Sequence, residues 1–171
     1  MVSILECVPN ISEGRNLAVV EAIADQVRQT PGVTLLDYSS DADHNRSVLT
    51  YLGEPEQVLA ATMAMASKAL EFIDMRQHQG AHPRIGAIDV VPFIPIRNME
   101  HSDACAIAHR FGRVLGEAGV SVYYYEDSAT RPERQNLATV RQGQYEGLAT
   151  KLQRPEWRPD EGPVDFNATA G

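Results

Sequence analysis

Two strand-like segments, VTLLDYS (33–39) and RSVLTYLG (46–53), are separated only by the polar stretch SDADHN. Parallel neighbours need a crossover of roughly a dozen residues or more, so segments this close can pair only as an antiparallel hairpin. A purely parallel, doubly wound sheet therefore fits this part of the chain less well. The flanking elements follow from periodicity. VSILECVP alternates imperfectly and stops at Pro9-Asn10, which predicts a first strand running into a loop. Val19, Val20, Ile23, Ala24 and Val27 return with helical spacing between Leu17 and Val27, and Pro31-Gly32 closes that helix. Glu54-Pro55-Glu56 suits the first turn of a second helix, whose apolar surface runs from Val58 and Leu59 to Leu70 and Ile73. Met63 and Met65 read as packing residues, because an unbranched thioether fills irregular gaps.

Farther on, IGAIDVVPFIPI (85–96) predicts a strand broken by Pro92 and Pro95, each of which removes a backbone donor. NMEHSDACAIAHRFGRVLGEAG (98–119) predicts a third helix with Gly119 as its cap, and VSVYYYED (120–127) a last strand. Tyr123 to Tyr125 then read as two strand faces rather than a base-stacking platform. PERQNLATVRQGQYEGLATKL (132–152) predicts helix interrupted near Gly143, and residues 152–171 form a tail too rich in proline and glycine for a long regular element. The order strand, helix, strand, strand, helix, strand, helix, strand defines an α+β class. Its expected form is a ferredoxin-like split β-α-β sandwich within a single domain, 1–171, with a mostly antiparallel sheet and helices on one face.

With 43% hydrophobic residues the chain belongs with soluble globular domains. Its net charge of −8 opposes nonspecific nucleic-acid binding, which draws on a basic surface. Arg15, Arg46, Arg76, Arg84 and Arg97 nevertheless lie in or beside the structured segments, leaving room for a local cleft that takes an anionic small molecule. Cys7 and Cys105 sit among apolar neighbours without metal-ligand spacing and read as two buried free thiols. No signal-like start and no membrane-length apolar run occurs, so the expectation is a cytoplasmic protein with no membrane partner.

Four places carry candidate chemistry. His82 follows Gly80 and precedes Pro83, a turn and a stiff exit that can fix an imidazole at the mouth of a strand; it reads either as a general base or as a capping or exposed histidine. Asp89 lies between Ile88 and Val90, so its carboxylate needs a partner: an arginine, the second nitrogen of His82, or backbone amides. The odd spacing of His82 and Asp89 puts them on opposite faces of a straight strand, so only a bend brings them together. In DHNRS, Arg46 can clamp a carboxylate and Asn45 can donate to a developing oxyanion, or both can serve the turn. Asn10 and Glu13 are ligand groups if the loops converge and cap groups otherwise. His44, His78 and His82 have no metal-binding spacing, and no metal is expected.

ECVPNISEG (6–14), DHNRSVLTYLGEPEQV (43–58), IDMRQHQGAHPRIGAIDVVPFIPI (73–96) and YEGL…KL…PEWRPDEGP (145–163) occur in this order. Together they resemble the N-terminal subdomain of the glutamate formimidoyltransferase family, over essentially the whole chain. The resemblance implies transfer of the formimino group from N-formimino-L-glutamate to the co-substrate tetrahydrofolate, in histidine degradation. It implies two similar subdomains with folate in a groove between them, of which the second is absent here. It places the family's catalytic histidine on His82, as base toward N5 of the pterin, and on Arg46 an arginine for substrate positioning or charge stabilisation. Asp89 is assigned with them as the acid candidate, while Asn10, Asn45 and Arg84 are groove candidates for folate. The family's mammalian form has an acid at the position of Ser39, for which Asp37, Asp41 and Asp43 stand as replacements; Ala81 is a second acidic-to-neutral difference. The expected activity therefore depends on a second transferase subdomain. The alternative is a noncatalytic folate-binding or self-associating domain, paired as a homo-oligomer.

Overall fold

The computed structural model describes residues 1–171. The predicted hairpin is the backbone of the sheet: β3 (Val33–Asp41) pairs antiparallel with β4 (Arg46–Gly53) along their whole lengths, from Val33 opposite Gly53 to Asp41 opposite Arg46. The other edge of β4 is shared by two short strands, β1 (Ile4–Cys7) and β2 (Asn10–Ile11). They are one strand broken at Val8-Pro9, where proline has no amide to donate, although the Pro9 carbonyl still accepts from the Leu49 amide at 3.1 Å. The next strand is broken in the same way at Val91-Pro92, giving β5 (Ile88–Val90) against β2 and β6 (Phe93–Arg97) against β1. The sheet order is β5-β2-β4-β1-β6 with β3 on the free side of β4, and every pairing is antiparallel.

Alternation then decides what each face meets. Leu5, Cys7, Leu49 and Tyr51 point to one side and are fully buried. Against them pack α1 (Leu17–Arg28) through Ile23, Ala24 and Val27, α2 (Pro55–Phe72) through Val58, Leu59 and Met65, and α3 (His101–Glu117) through Ile107 and Phe111, in one continuous core. Each large apolar side chain buried there contributes about 1.5–3 kcal/mol. Met65 is among the buried core residues and Met63 packs against them, as the sequence predicts. Tyr51 and Thr62 bring hydroxyls into this core and bond each other at 2.7 Å, while Thr62 also donates to the Val58 carbonyl at 2.7 Å. The opposite face of the sheet is covered by no helix.

Two expectations are corrected. Residues 120–127 form no strand; Val122 makes a single bridge to Glu161, and Tyr123 and Tyr124 are buried instead. Their hydroxyls donate to the carbonyls of Trp157 at 2.5 Å and His109 at 3.0 Å, so side-chain packing takes the place of a ladder. Cys105 is only half-buried, while Cys7 is fully enclosed; both are free, and burial pushes the Cys7 thiol up to about 12. The C-terminal third adds α4 (Leu137–Arg141) and α5 (Gln144–Leu152), separated as predicted at Gly143, whose φ is +91°. The irregular tail returns to the sheet, where the Ala170 carbonyl accepts from the Ala87 amide at 2.8 Å.

Candidate active site

Three connections meet at the end of the hairpin: the loop after β2, the β3–β4 turn, and the segment 78–87 that leads into β5. Gly80 permits the meeting, because a methyl group there would overlap the His44 carbonyl oxygen. The Ala81 amide donates to the Asp43 carbonyl at 3.1 Å, and the buried Asn45 ties the set together. Asn45 Oδ1 accepts from the Gly14 amide at 2.9 Å while Nδ2 donates to the Gln79 carbonyl at 3.1 Å. Between these loops lies a shallow cleft lined by Ser12, His44, Asn45, Arg46, His78, His82, Arg84 and Asp89, with no apolar residue among them.

The central contact is between Arg46 and His82. Arg46 Nη1 lies 2.5 Å from His82 Nε2. Guanidinium can only donate, so Nε2 is the acceptor, and a neutral imidazole then carries its proton on Nδ1, which is buried without a partner. Burial holds the His82 pKa below the usual histidine value, helped by the charges of Arg46 and Arg141; the neighbouring Pro83 backbone and Asp89 oppose this more weakly. The site thus keeps a neutral imidazole next to a guanidinium.

His78 lies deeper. Arg84 Nε donates to its Nδ1 at 3.0 Å, which leaves the proton on Nε2 to be donated to the Asn45 carbonyl at 2.8 Å. Burial lowers the pKa of this histidine too. Arg84 is itself buried, and its two terminal nitrogens grip Glu146 of α5 at 2.9 and 2.8 Å. That arginine holds Glu146 below the ordinary carboxylate range. Both Arg84 and Asn45 are therefore occupied in joining loops.

Asp89 does not bond His82. One oxygen accepts from the Ile85 amide at 2.9 Å and the other from Arg141 Nη2 at 2.5 Å, with the Asp89 side chain 1% exposed. Of the readings open in the sequence, the structure combines arginine pairing with amide capping. Asn10 lies outside the cleft but opposite Val48 on β4, on the helix-free face, and Arg46 follows two positions along that same face. Ser39 pairs with Val48 and Asp41 with Arg46 across the hairpin, so both share it. None of Asp37, Asp41 and Asp43 bonds the His82 ring; Asp41 instead holds His44, with Oδ2 2.9 Å from His44 Nδ1. A mostly apolar cavity of about 100 Å³ lies between α3 and the C-terminal helices, and its one carboxylate, Asp89, is already held by the Ile85 amide and Arg141.

The formiminotransferase domain, N-terminal subdomain, matches this chain over residues 4–171. The chain belongs to that family. It is 48% identical to the glutamate formimidoyltransferase of Streptococcus pyogenes serotype M1 across the whole of this chain and 58% of that protein. It is 47% identical to the formimidoyltransferase-cyclodeaminase of Gallus gallus over 97% of this chain and 31% of that one. The glutamate formimidoyltransferase of Thermoplasma acidophilum is 40% identical over 94% of this chain and 54% of its own length. The chain thus spans between 31% and 58% of the length of these relatives. Within this formiminotransferase subdomain the sequence reading misses Arg141 and Glu146, which reach the site from the C-terminal helices. The available signal was the need of a buried Asp89 for a cation. No cluster of three or more His, Cys, Asp or Glu side chains is placed to hold a metal ion.

Proposed function

We propose that this chain supplies the acid–base wall of a folate-dependent formimino transferase, taking the formimino group from N-formimino-L-glutamate to N5 of tetrahydrofolate in histidine degradation. The observation that carries the reading is the neutral His82 imidazole at the edge of a helix-free sheet face, with Arg46 2.5 Å from Nε2. In the resting arrangement Arg46 masks the lone pair of the base. A carboxylate of the amino-acid substrate draws the guanidinium away through a bidentate pair and uncovers Nε2. His82 then takes the N5 proton as N5 attacks the amidine carbon. Arg141 and Asp89 hold the loop that presents His82, Asn45 and Arg84 fix the walls, and Asn10 is placed on the sheet face as a contact for folate.

The cleft by itself encloses essentially no volume, against the roughly 300–1,000 Å³ of ligand pockets, so a second subdomain over the helix-free face completes the groove. Glu6, Val48, Thr50, Leu52 and Ile94 on that face are only half-buried. A second copy of the chain is the other candidate for covering them. The architecture we infer is ferredoxin-like; the antiparallel pairings and a hairpin between two helices support it. Two free thiols suit a reducing, cytoplasmic setting, and no helix is long and apolar enough to cross a membrane.

The test is formimino transfer to tetrahydrofolate by the chain alone and with a separately expressed second subdomain, with His82→Ala as control. Transfer that needs the second piece and is lost in the variant supports the reading. Absence of transfer in every mixture of folded proteins refutes it and leaves the noncatalytic alternative.

A further inference from the structure

Transfer between two nitrogens needs two proton movements. The proton leaves N5 as the N5–carbon bond forms, and the bond from carbon to the glutamate nitrogen breaks only when that nitrogen receives one, because an amine anion is too basic to depart. His82 suits the first movement and is poorly built for the second. Its pairing with Arg46 disfavours a second positive charge, and no carboxylate bonds its ring.

The other imidazole on the cleft has the opposite surroundings. Asp41 Oδ1 accepts from the backbone amides of Asp43 and His44, both at 2.9 Å, so one oxygen is spent on closing the turn. Its remaining oxygen is left to hold His44 Nδ1 at 2.9 Å. The His44 amide and imidazole keep the Asp41 carboxyl below its usual range, so an ionised acid stays beside the ring. His44 is 45% exposed, and its ring centroid lies 6.0 Å from that of His82 at an interplanar angle of 73°. The attacking and departing nitrogens share one carbon, and each need come only within about 2.6–3.2 Å of its own imidazole. Two rings 6.0 Å apart can serve both.

We propose that His44, held by Asp41, is a second catalytic residue of this site: the general acid that protonates the departing glutamate nitrogen. The proposal rests on the reading of function given above. The N5 proton goes to His82, the Nε2 proton of the His44 imidazolium goes to the leaving nitrogen, the carbon–nitrogen bond pair leaves with glutamate, and solvent returns the proton from His82 to His44. One ring is bonded to a guanidinium and the other to a carboxylate, so two imidazoles with opposite partners face one cleft. The charged groups around the two rings are Asp41 and Asp43 in the turn, Arg15 from the first loop through the Ala42 carbonyl, Arg46 on β4, and Asp89 with Arg141.

The experiment uses the enzyme assembled from this chain and a co-expressed second subdomain, as wild type, His44→Gln and Asp41→Asn, each checked for folding by circular dichroism. Two formimino donors are compared: formiminoglutamate, and a formimino derivative of a weakly basic nitroaniline that carries a carboxylate for Arg46 and leaves without protonation. For His44→Gln, kcat with formiminoglutamate falls about 100-fold, the scale of general acid catalysis. The high-pH fall of the wild-type profile disappears, and the nitroaniline donor reacts within about 3-fold of wild type, the margin set against that 100-fold scale. Asp41→Asn shows the same donor pattern in weaker form. Equal losses with both donors, or an unchanged rate with formiminoglutamate, overturn the acid while the transferase reading stands. A wild-type enzyme that transfers from neither donor removes that reading and the acid with it.

Discussion

Arg46 and His82 are bonded head to ring, with Nη1 2.5 Å from Nε2, and the direction of that bond settles the tautomer of the histidine. Nitrogen-15 NMR of the imidazole at neutral pH is expected to show a protonated Nδ1 and a hydrogen-bonded, unprotonated Nε2. Arg46→Gln removes a cation from the ring, so the pKa of His82 moves back toward 6.5 in a titration followed by the His82 Cε1 proton. A fall in that pKa on substitution contradicts the arrangement.

Arg141→Leu leaves Asp89 buried at 1% side-chain exposure with an amide but no cation. Breaking a buried pair by removing one partner costs about 3–5 kcal/mol, and the partial exposure of Arg141, 18%, puts the expected loss toward the lower end of that range. Urea denaturation of the two proteins measures it. Because Asp89 anchors the Ile85 amide, three residues beyond His82, transfer activity drops as well even under conditions where the variant is fully folded.

What the sequence reveals and hides divides by distance along the chain. The hairpin is legible because its two strands and the four-residue turn between them are contiguous, and α1, predicted over 17–27, ends at Arg28. The breaks in β1/β2 and β5/β6 fall at prolines, which carry their own explanation. VSVYYYED misleads because β-propensity reports a half-buried setting, and aromatic packing against Trp157 supplies one without a partner strand. At the site, the resemblance brings His82 and Arg46 forward although 36 residues separate them. Nothing local marks Arg141 or Glu146, which lie 52 and 62 residues from Asp89 and Arg84. The same gap hides the saturation of Asn45 and Arg84, whose partners come from three other segments.

Acid should weaken the fold in two stages. Burial lowers His78 and His82 below their ordinary value of 6.5, so between 6.5 and the folded-state pKa the unfolded chain binds protons that the native one refuses. Stability therefore falls as pH drops through that window. Asp41, Glu56, Asp74 and Glu146, lowered mainly by hydrogen bonds from their partners, add a second loss as pH falls through their depressed folded values. Urea midpoints taken from pH 8 downward follow both stages. His78→Gln flattens the upper one, and an unchanged slope there would show that this imidazole is no more buried folded than unfolded.

Gly80→Ala tests whether the cleft depends on loop contact rather than on the side chains alone. The added methyl group meets the His44 carbonyl oxygen and crowds Asn45 Cβ at 3.1 Å, and backbone on that side is pinned by Gly14 through Asn45 Oδ1 and by the amides that Asp41 holds. The turn cannot retreat without breaking those bonds, so segment 78–84 moves instead and carries His82 away from Arg46. Overpacking of this kind costs about 1–3 kcal/mol, a modest loss that leaves most molecules folded at room temperature. Activity is expected to fall much further than stability, because a 1 Å misplacement of a reacting group can cost about 100-fold in rate. NMR of the variant should show the His82 ring regaining ordinary tautomer exchange once Arg46 no longer holds Nε2. Full activity in Gly80→Ala would mean that the two loops can separate without disturbing the base.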